Sequence, residues 1–579
     1  MKFPTDIGTS NFVFSYLAIE GLTKLGLTKY CLSPGSRSTP LALAVKYHPK
    51  AEVNTVLDER SSSFLALGLA KGSNQPIALI CTSGTGPANY FPAIIEASET
   101  NIPIIALTAD RPQTFRNVET NQTIDQTNLY GSYTRLFHDM GKITSYESLS
   151  DLQNTIEYLQ DVLTQIQQVL IKNKGPIHIN FPFSKPLEPS EPISIILETL
   201  QKYKIEIYRT TEIKKSKSEL ELLEFTVNSS KPLLLIGPNQ FDKQLLNRIK
   251  NFGQMHKIPL IADPLSNFRQ MDDTEYVLKA YDHYIDLLSN LSPDLIIKFG
   301  TNSVSSGIEK FLTKYEGNTI VFREHNYEKE IITAGETKYF NIDLFEDFKS
   351  LFEINEAHDM EWIQKLLEIE EFSRSIVHRR INQEDFEGGF VYHLLKNCGS
   401  NHFMFAANSL PIRHLSEFMI DDDMNSVVYA NRGVSGIDGN ISTFSGIAKV
   451  SENIGVLLIG DLASLHDLTG LFHIKRLNLK VIIIVLNNNG GGIFERLPIA
   501  KYDPPFKEYF KMEYEMNFEN LALAFGLQFT SVKQYNELTE IIQNSKNSII
   551  VEIKTNSKNH QRILEEIKYE ILMNFKQSP

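Results

Sequence analysis

The sequence predicts an α/β protein of three doubly wound domains with mostly parallel sheets. Three observations predict it. Strand-length apolar runs alternate with helix-length segments along a chain of 579 residues, too long for a single core. In the last third, Gly455-Val-Leu-Leu-Ile-Gly460 and Val481-Ile-Ile-Ile-Val-Leu486 flank a helix-length stretch at about 464–477. That is the pattern of a βαβ unit, whose crossover makes its two strands parallel. Finally, four prolines between Phe181 and Pro192 mark an exit linker. The domains so delimited are 1–188, 189–356 and 357–579.

In the first domain, strands are expected at 29–33, 52–57, 76–81, 102–107 and 176–181, with helices at 61–71 and 87–100 between them. The second domain offers strands at 232–236, 258–262, 294–299 and 319–322. Its Ile236-Gly237-Pro238-Asn239 turn lacks the glycine spacing that closes on a dinucleotide pyrophosphate. The charged run 354–371 reads as a solvated helix opening the third domain, which closes with a strand at 548–554 and an amphipathic helix at 560–575. Three successive α/β layers suggest an old duplication.

Bulk properties narrow the class. A hydrophobic content of 42% with 22% charged residues is ordinary for a globular protein. A net charge of −13 and a pI near 5.6 disfavour a nucleic-acid or anionic-membrane surface. Cys31, Cys81 and Cys398 are too few and too far apart for a disulfide framework or a zinc site, and each sits in an apolar setting as a small core residue. The N-terminus carries no apolar signal region, and no stretch approaches the length of a membrane span, so a cytoplasmic location is expected.

The βαβ unit carries the chemistry. Parallel strands end at one edge of their sheet, so Asp461 and Asn488 are delivered side by side where ligands of open α/β sheets bind. A carboxylate, an amide oxygen and glycine carbonyls in the run Asn487–Gly492 form a hard-oxygen set suited to Mg²⁺ and phosphate oxygens. A polar turn at a strand end remains the plain alternative. Glu59 stands at a strand-to-helix junction of the first domain, where an acidic residue also suits a helix N-terminus. Around it lie further polar turns. Ser36 and Arg37 lie in Ser33–Leu41, a glycine turn with hydroxyls that suits a carboxylate. Thr82 and Ser83 open a glycine-rich turn, and Arg111, Asn121 and Gln122 follow. In the third domain Ser409 and Arg413 are four residues apart, on one face if helical. Arg432 and Ile437 sit in the loop Tyr429–Gly439. A surface salt bridge is the alternative for Arg413 and Arg432.

The Gly-Asp and Asn-Asn pairs resemble the thiamine-diphosphate signature, with Leu462 where a glycine is usual. Nine strings together resemble the 2-succinyl-5-enolpyruvyl-6-hydroxy-3-cyclohexene-1-carboxylate synthase family of menaquinone biosynthesis. They are SPGSRSTPL from Ser33, DER from Asp58, TSGT from Thr82, LTADRP from Leu107, NQTIDQ from Asn121, ANSLPIR from Ala407, NRGVSGIDG from Asn431, GDLA from Gly460 and NNNGGGIF from Asn487. Leu462 is expected in that family. The resemblance covers the first and third domains well and the middle one poorly.

The resemblance implies the three-domain architecture of thiamine-diphosphate enzymes and a homodimer or homotetramer, with active sites between chains. It implies thiamine diphosphate with Mg²⁺ or Mn²⁺, the metal held by Asp461, Asn488 and the Gly490 carbonyl. Glu59 would be the catalytic carboxyl, with Gln122 near the reacting carbons, and Ile437 would support the cofactor from below. Thr82, Ser83, Ser435, Gly436, Leu462, Ala463, Gly491 and Ile493 would complete the cofactor site. The implied substrates are 2-oxoglutarate, with Ser409 and Arg413 on its distal carboxylate, and isochorismate, facing Ser36, Arg37, Arg111, Asn121 and Gln122. Phe494 would help to wall out water, and Arg432 would contact substrate. The middle domain departs from the pattern, with Ser306 and Gly307 where basic residues are expected and Lys310 one turn later.

Three other classes compete. An acetolactate-type thiamine lyase shares Glu59 and the metal motif but not the paired carboxylate-binding arginines. A non-catalytic sensor on the same scaffold would have lost the acid or the ligands, which are present. A Mg²⁺-dependent phosphotransferase predicts a Gly-x-x-x-x-Gly-Lys-Ser/Thr loop, which the sequence lacks.

Overall fold

Every strand pairing among the described residues is parallel, and the strands form three six-stranded sheets and one two-stranded ribbon. The computed structural model describes residues 6–575 except 117, 147, 202–226, 240, 272–275, 325–329 and 355–358. The domain boundary expected at 356 lies outside the described residues.

The first sheet contains β1 (Lys29–Leu32), β2 (Glu52–Thr55), β3 (Ile77–Cys81), β4 (Ile104–Asp110), β5 (Leu136–Asp139) and β6 (Ile177–Pro182), in the order β2-β1-β3-β4-β6-β5. The chain continues through β7 (Val227–Ser229) into the second sheet. That sheet holds β8 (Pro232–Ile236), β9 (Leu260–Ala262), β10 (Val277–Leu278), β11 (Leu295–Phe299), β12 (Asn318–Arg323) and β13 (Thr337–Asn341), ordered β10-β9-β8-β11-β12-β13. A strand β14 (Phe352–Ile354) pairs with β7. The third sheet has β15 (His402–Ala406), β16 (Val427–Tyr429), β17 (Ile454–Gly460), β18 (Val481–Asn487), β19 (Gln528–Val532) and β20 (Ile549–Lys554), ordered β16-β15-β17-β18-β20-β19. Numbered within each sheet, the first and third both read 2-1-3-4-6-5, whereas the second reads 3-2-1-4-5-6. β3, β4 and β18 are almost wholly buried, which is why they read as unbroken apolar runs.

Packing divides the chain into two units. One consists of Met1–Ile213, Asn431–Glu452 and Leu465–Leu479, and the other of the remaining residues. In the first unit, the helix Glu59–Ser73 packs along the helix Asn440–Val450. Two glycines permit backbone contact. A Cβ on Gly68 would lie 1.9 Å from the Thr443 carbonyl oxygen, and one on Gly446 would lie 2.3 Å from that of Leu65.

A buried polar joint closes this contact. Ser61 Oγ lies 2.7 Å from Ser442 Oγ and 2.6 Å from His473 Nε2, and Asp467 accepts the Ser442 N–H and hydroxyl at 2.7 and 3.0 Å. Burial lowers the His473 pKa to about 4 and raises that of Asp467 from 3.8 to about 7. Between those two Asp467 values the native state keeps a proton that the unfolded chain has released. Stability therefore falls as pH rises from about 4 to about 7, and stays lower above that. Asp467→Asn is expected to raise the melting temperature at pH 8, by an increment that shrinks towards pH 4. An equal change at both pH values in thermal melts would contradict a buried charge at this joint.

In the second unit, the helix Met360–Gln383 corrects the expectation of a solvated helix at 354–371. It buries Trp362, Ile363, Leu366, Ile369, Ile376 and Val377, a stripe at helical spacing, beneath its charged face. Glu370, inside that stripe, accepts the N–H groups of Lys279 and Ala280 and the Tyr284 hydroxyl, at 2.9, 3.0 and 2.7 Å. At the end of β8 and β11, the Gly237 N–H donates to the Phe299 carbonyl and the Thr301 N–H to that of Pro238. The two turns thus close on each other at the point where the strand order reverses. The three cysteines are free and buried, as core residues should be. No helix among the described residues is long and apolar enough to cross a membrane.

Candidate active site

The third sheet brings its polar residues to one edge. β17 and β18 are neighbours with Gly460 opposite Leu486, so Asp461 and Asn488 follow adjacent strand ends. The two turns are tied together. Asp461 Oδ2 accepts the Gly490 N–H at 2.7 Å, and Oδ1 accepts that of Leu462 at 2.8 Å. Burial raises the Asp461 pKa, and the N–H groups of Gly490 and Leu462 and the Lys511 charge offset part of the rise. Gly490 has φ of +122°, and a Cβ there would lie 2.1 Å from the Lys511 carbonyl oxygen, so only glycine fits.

Asn488 provides the test of a metal site. Its Nδ2 donates to Glu387 Oε1 at 2.9 Å, whereas its buried Oδ1 has no hydrogen-bond partner. An unmet buried acceptor costs about 1–3 kcal/mol, and an oxygen-seeking cation would meet it. Asp461, Asn488 and the Gly490 carbonyl thus fit a divalent ion in the nature of their donor atoms. Lys511 Nζ donates to the Asn488 carbonyl at 3.3 Å and pairs with Glu495 at 3.0 Å.

The rest of this edge lies close by in the fold. Ala463 is buried and Leu462 half-buried in the turn after β17. After Gly491, Ile493 and Phe494 lie half-buried on a short 3₁₀ turn, Gly492–Arg496. The other neighbour of β17 is β15, which runs into Ser409 and the helix Leu410–Phe418. Ser409 has φ of +77°, and Arg413 Nη1 donates to its carbonyl at 2.5 Å. Behind the edge, His414 bridges Glu387 and Glu417 at 3.0 and 3.2 Å. Burial opposes its charge, but the hydrogen bonds to the two carboxylates outweigh burial and raise its pKa. His560 falls to about 4 through burial and the neighbouring His414.

The first unit gathers the other residues. Glu59 opens its helix after Asp58, whose carboxylate caps it by accepting the N–H groups of Arg60 and Ser61. Glu59 is half-buried. Its Oε1 lies 3.3 Å from where a Gly86 Cβ would stand, and among the described residues its carboxyl accepts no hydrogen bond. Ser36 is exposed beside the buried Arg37, whose Nη1 donates to the Phe183 carbonyl and whose N–H meets Thr82 Oγ1. Burial and the charge of Arg111 lower the Arg37 pKa, and the Asp110 carboxylate offsets part of that fall. Arg111 Nη2 donates to the Asn121 carbonyl. Gln122, at φ of +56°, is locked to Ser83 both ways: Ser83 Oγ donates to its carbonyl at 3.0 Å, and Gln122 Nε2 to that of Ser83 at 3.1 Å.

The loop holding Arg432, Ser435, Gly436 and Ile437 belongs to the same unit. Glu96, buried, accepts the N–H groups of Gly433 and Val434, both at 2.9 Å. Asn440 Nδ2 donates to the Ile437 carbonyl at 2.7 Å. Sequence reasoning missed Glu96, Glu387 and Lys511. Only Glu96 carried a signal, as an acidic residue inside an apolar helix.

Two thiamine pyrophosphate enzyme models match the chain: the N-terminal TPP binding domain over residues 14–129 and the C-terminal TPP binding domain over residues 417–553. A protein of Trichodesmium erythraeum named 2-succinyl-5-enolpyruvyl-6-hydroxy-3-cyclohexene-1-carboxylate synthase is 34% identical over 559 residues, covering 93% of this chain and 94% of its own. A protein of the same name from Listeria innocua is 33% identical over 580 residues, covering 95% and 97%. Among solved structures, benzoylformate decarboxylase from Polynucleobacter necessarius superimposes with a TM-score of 0.68 at 15% identity, covering 94% of this chain and 98% of its own. A putative thiamin diphosphate-dependent enzyme from Mycobacterium smegmatis does so at 0.66 and 15%, covering 94% and 99%. These two share the fold. With full-length relatives above 30% identity and both binding-domain models matched, the chain belongs to the 2-succinyl-5-enolpyruvyl-6-hydroxy-3-cyclohexene-1-carboxylate synthase family of thiamine-diphosphate-dependent enzymes.

Proposed function

We propose that this chain makes 2-succinyl-5-enolpyruvyl-6-hydroxy-3-cyclohexene-1-carboxylate and CO₂ from 2-oxoglutarate and isochorismate, in menaquinone biosynthesis in the cytoplasm. The observation that carries this reading is the edge of the third sheet. There, Asp461, Asn488 and the Gly490 carbonyl, a metal-type donor set, and the Ser409–Arg413 pair follow three adjacent strands. Thiamine diphosphate with Mg²⁺ or Mn²⁺, when bound, supplies the loss of CO₂ from the 2-oxo acid and lets the remaining four-carbon fragment attack isochorismate. Asp461, Asn488 and the Gly490 carbonyl hold the metal. Glu59 holds and returns a proton at its carboxyl oxygens.

Arg413 and Ser409 orient 2-oxoglutarate by its distal carboxylate. Arg37 and Arg111, with Ser36, Asn121 and Gln122, receive isochorismate. Ile493 and Phe494 would exclude water from the reacting atoms. In this reading 1–188 is the pyrimidine-side domain, 189–356 the central domain and 357–579 the diphosphate-side domain. Glu59 of one copy serves the cofactor held by a second copy, so the active form is a homodimer or a tetramer built from two dimers. In the central domain Ser305 caps the helix Ser306–Lys314 and Lys310 is exposed, so Ser306 and Gly307 serve that helix start.

The test is CO₂ release from 2-oxoglutarate with thiamine diphosphate and Mg²⁺, with and without isochorismate, and with pyruvate as rival donor. Release that requires isochorismate and prefers 2-oxoglutarate is expected. Release indifferent to isochorismate, or faster from pyruvate, would make the protein a thiamine lyase of acetolactate type.

A further inference from the structure

We infer that Glu387 is a positioning residue that fixes which end of the Asn488 amide faces the metal, a role that rests on the cofactor reading above. Glu387 is completely buried at the start of the helix Glu387–Asn397. Its Oε1 accepts Asn488 Nδ2 at 2.9 Å and Thr555 Oγ1 at 2.5 Å, and its Oε2 faces His414 Nε2 at 3.0 Å. The two ends of an amide have nearly the same shape, so its direction is decided by what each end meets. A carboxylate only accepts. Nδ2 must therefore turn towards Glu387, which leaves Oδ1 pointing away, buried and without a partner.

A different assignment of these side chains fails. Glu387, His414 and His560 lie close enough together to surround an ion of their own. However, Arg496 Nη2 donates to His560 Nε2 at 2.9 Å, and both nitrogens of His414 face carboxylates. Arg496 also pairs with Glu417 at 3.0 Å. A second dication would meet a guanidinium and ring nitrogens already engaged. The network is a fixed base behind Asn488, and the lone pair it leaves open is that of Oδ1.

Outer partners of metal ligands typically carry about 10–100-fold of metal affinity. The experiment is direct Mn²⁺ titration, with free Mn²⁺ read by electron paramagnetic resonance, on the full chain with thiamine diphosphate present. Wild type, Asp461→Ala, Glu387→Gln, Asn488→Asp and the Glu387→Gln/Asn488→Asp double variant are compared. Glu387→Gln is expected to bind Mn²⁺ about 10–100-fold more weakly. Asn488→Asp is also expected to weaken binding, although it adds a negative charge, because its second oxygen would face the Glu387 carboxylate. The double variant restores a donor–acceptor pair with reversed polarity and should bind at least about tenfold more tightly than the weaker single variant.

A merely structural role for Glu387 would not produce that reciprocal recovery. Wild-type affinity in Glu387→Gln, or no recovery in the double variant, overturns the inference. If Glu387→Gln fails to fold by circular dichroism, Asn488→Asp decides alone: tighter binding than wild type overturns the inference and weaker binding supports it. Wild-type binding that Asp461→Ala leaves unchanged overturns the metal site itself, and this inference with it.

Discussion

Glu59→Gln is expected to reduce isochorismate-dependent CO₂ release by about 10²–10⁴-fold, the usual weight of a positioned proton-transfer group. The substitution keeps size and shape and replaces the carboxyl by an amide that cannot exchange a proton in the same way. Asp58 caps the helix independently of residue 59, so the fold should not change. The measurement is initial-rate CO₂ release at saturating 2-oxoglutarate and isochorismate, with thiamine diphosphate binding followed separately. Unchanged cofactor binding with collapsed turnover assigns Glu59 to proton transfer. Turnover within a few-fold of wild type would remove it from the mechanism. Loss of binding alone, recovered at high cofactor concentration, would make it a contact residue.

The second large effect is expected at Asp461. Alanine there removes one proposed metal ligand and also the acceptor of the Gly490 and Leu462 N–H groups. The stranded Gly490 N–H, which is buried, costs about 1–3 kcal/mol. The variant should therefore melt lower without ligands and lose metal affinity by more than the about 10–100-fold carried by an outer partner. Scanning calorimetry separates the two effects. Wild type should gain about 4 kcal/mol of stability when thiamine diphosphate and Mg²⁺ stand at about 1,000 times the wild-type dissociation constant, and Asp461→Ala, if its affinity falls more than about 100-fold, should gain less than about 1.4 kcal/mol. An equal gain in both proteins would place the metal elsewhere.

How far these residues could be read without coordinates depended on the range of their interactions. β17 and β18 were legible because their burial on both faces leaves unbroken apolar runs, and the residues just after them were legible with them. β10, with two residues, and β16, with three, are too short to set a period, and β5 interrupts its pattern with His138 and Asp139. The single helix expected at 464–477 is two helices, Asp461–His466 and Gly470–Arg476. Between them Asp467 turns inward to Ser442, a partner 25 residues away. The helix expected at 87–100 likewise breaks at Tyr90, whose ring is fully buried. Glu59 announced itself by its place at a strand-to-helix junction. Glu387 could not, because its partner Asn488 lies 101 positions further on, and Glu96 meets Gly433 across 337. Local periodicity records which face of an element is buried. It holds no record of which buried acid meets which distant amide.

The contact between Glu59–Ser73 and Asn440–Val450 also sets a timetable for biosynthesis. The later helix, and Gly470–Arg476 beside it, leave the ribosome long after the helix that they cover. At about 5–20 residues per second, the roughly 400 residues between Ser73 and Leu479 take on the order of 20–80 s to make. For that interval Leu65, Gly68 and Gly72 have no covering helix, although the last strand of their own sheet is made early in it, ending at Pro182. The first sheet to be synthesised is thus among the last to be sealed, and a nascent chain stalled before residue 440 would present its glycine-lined helix face to chaperones.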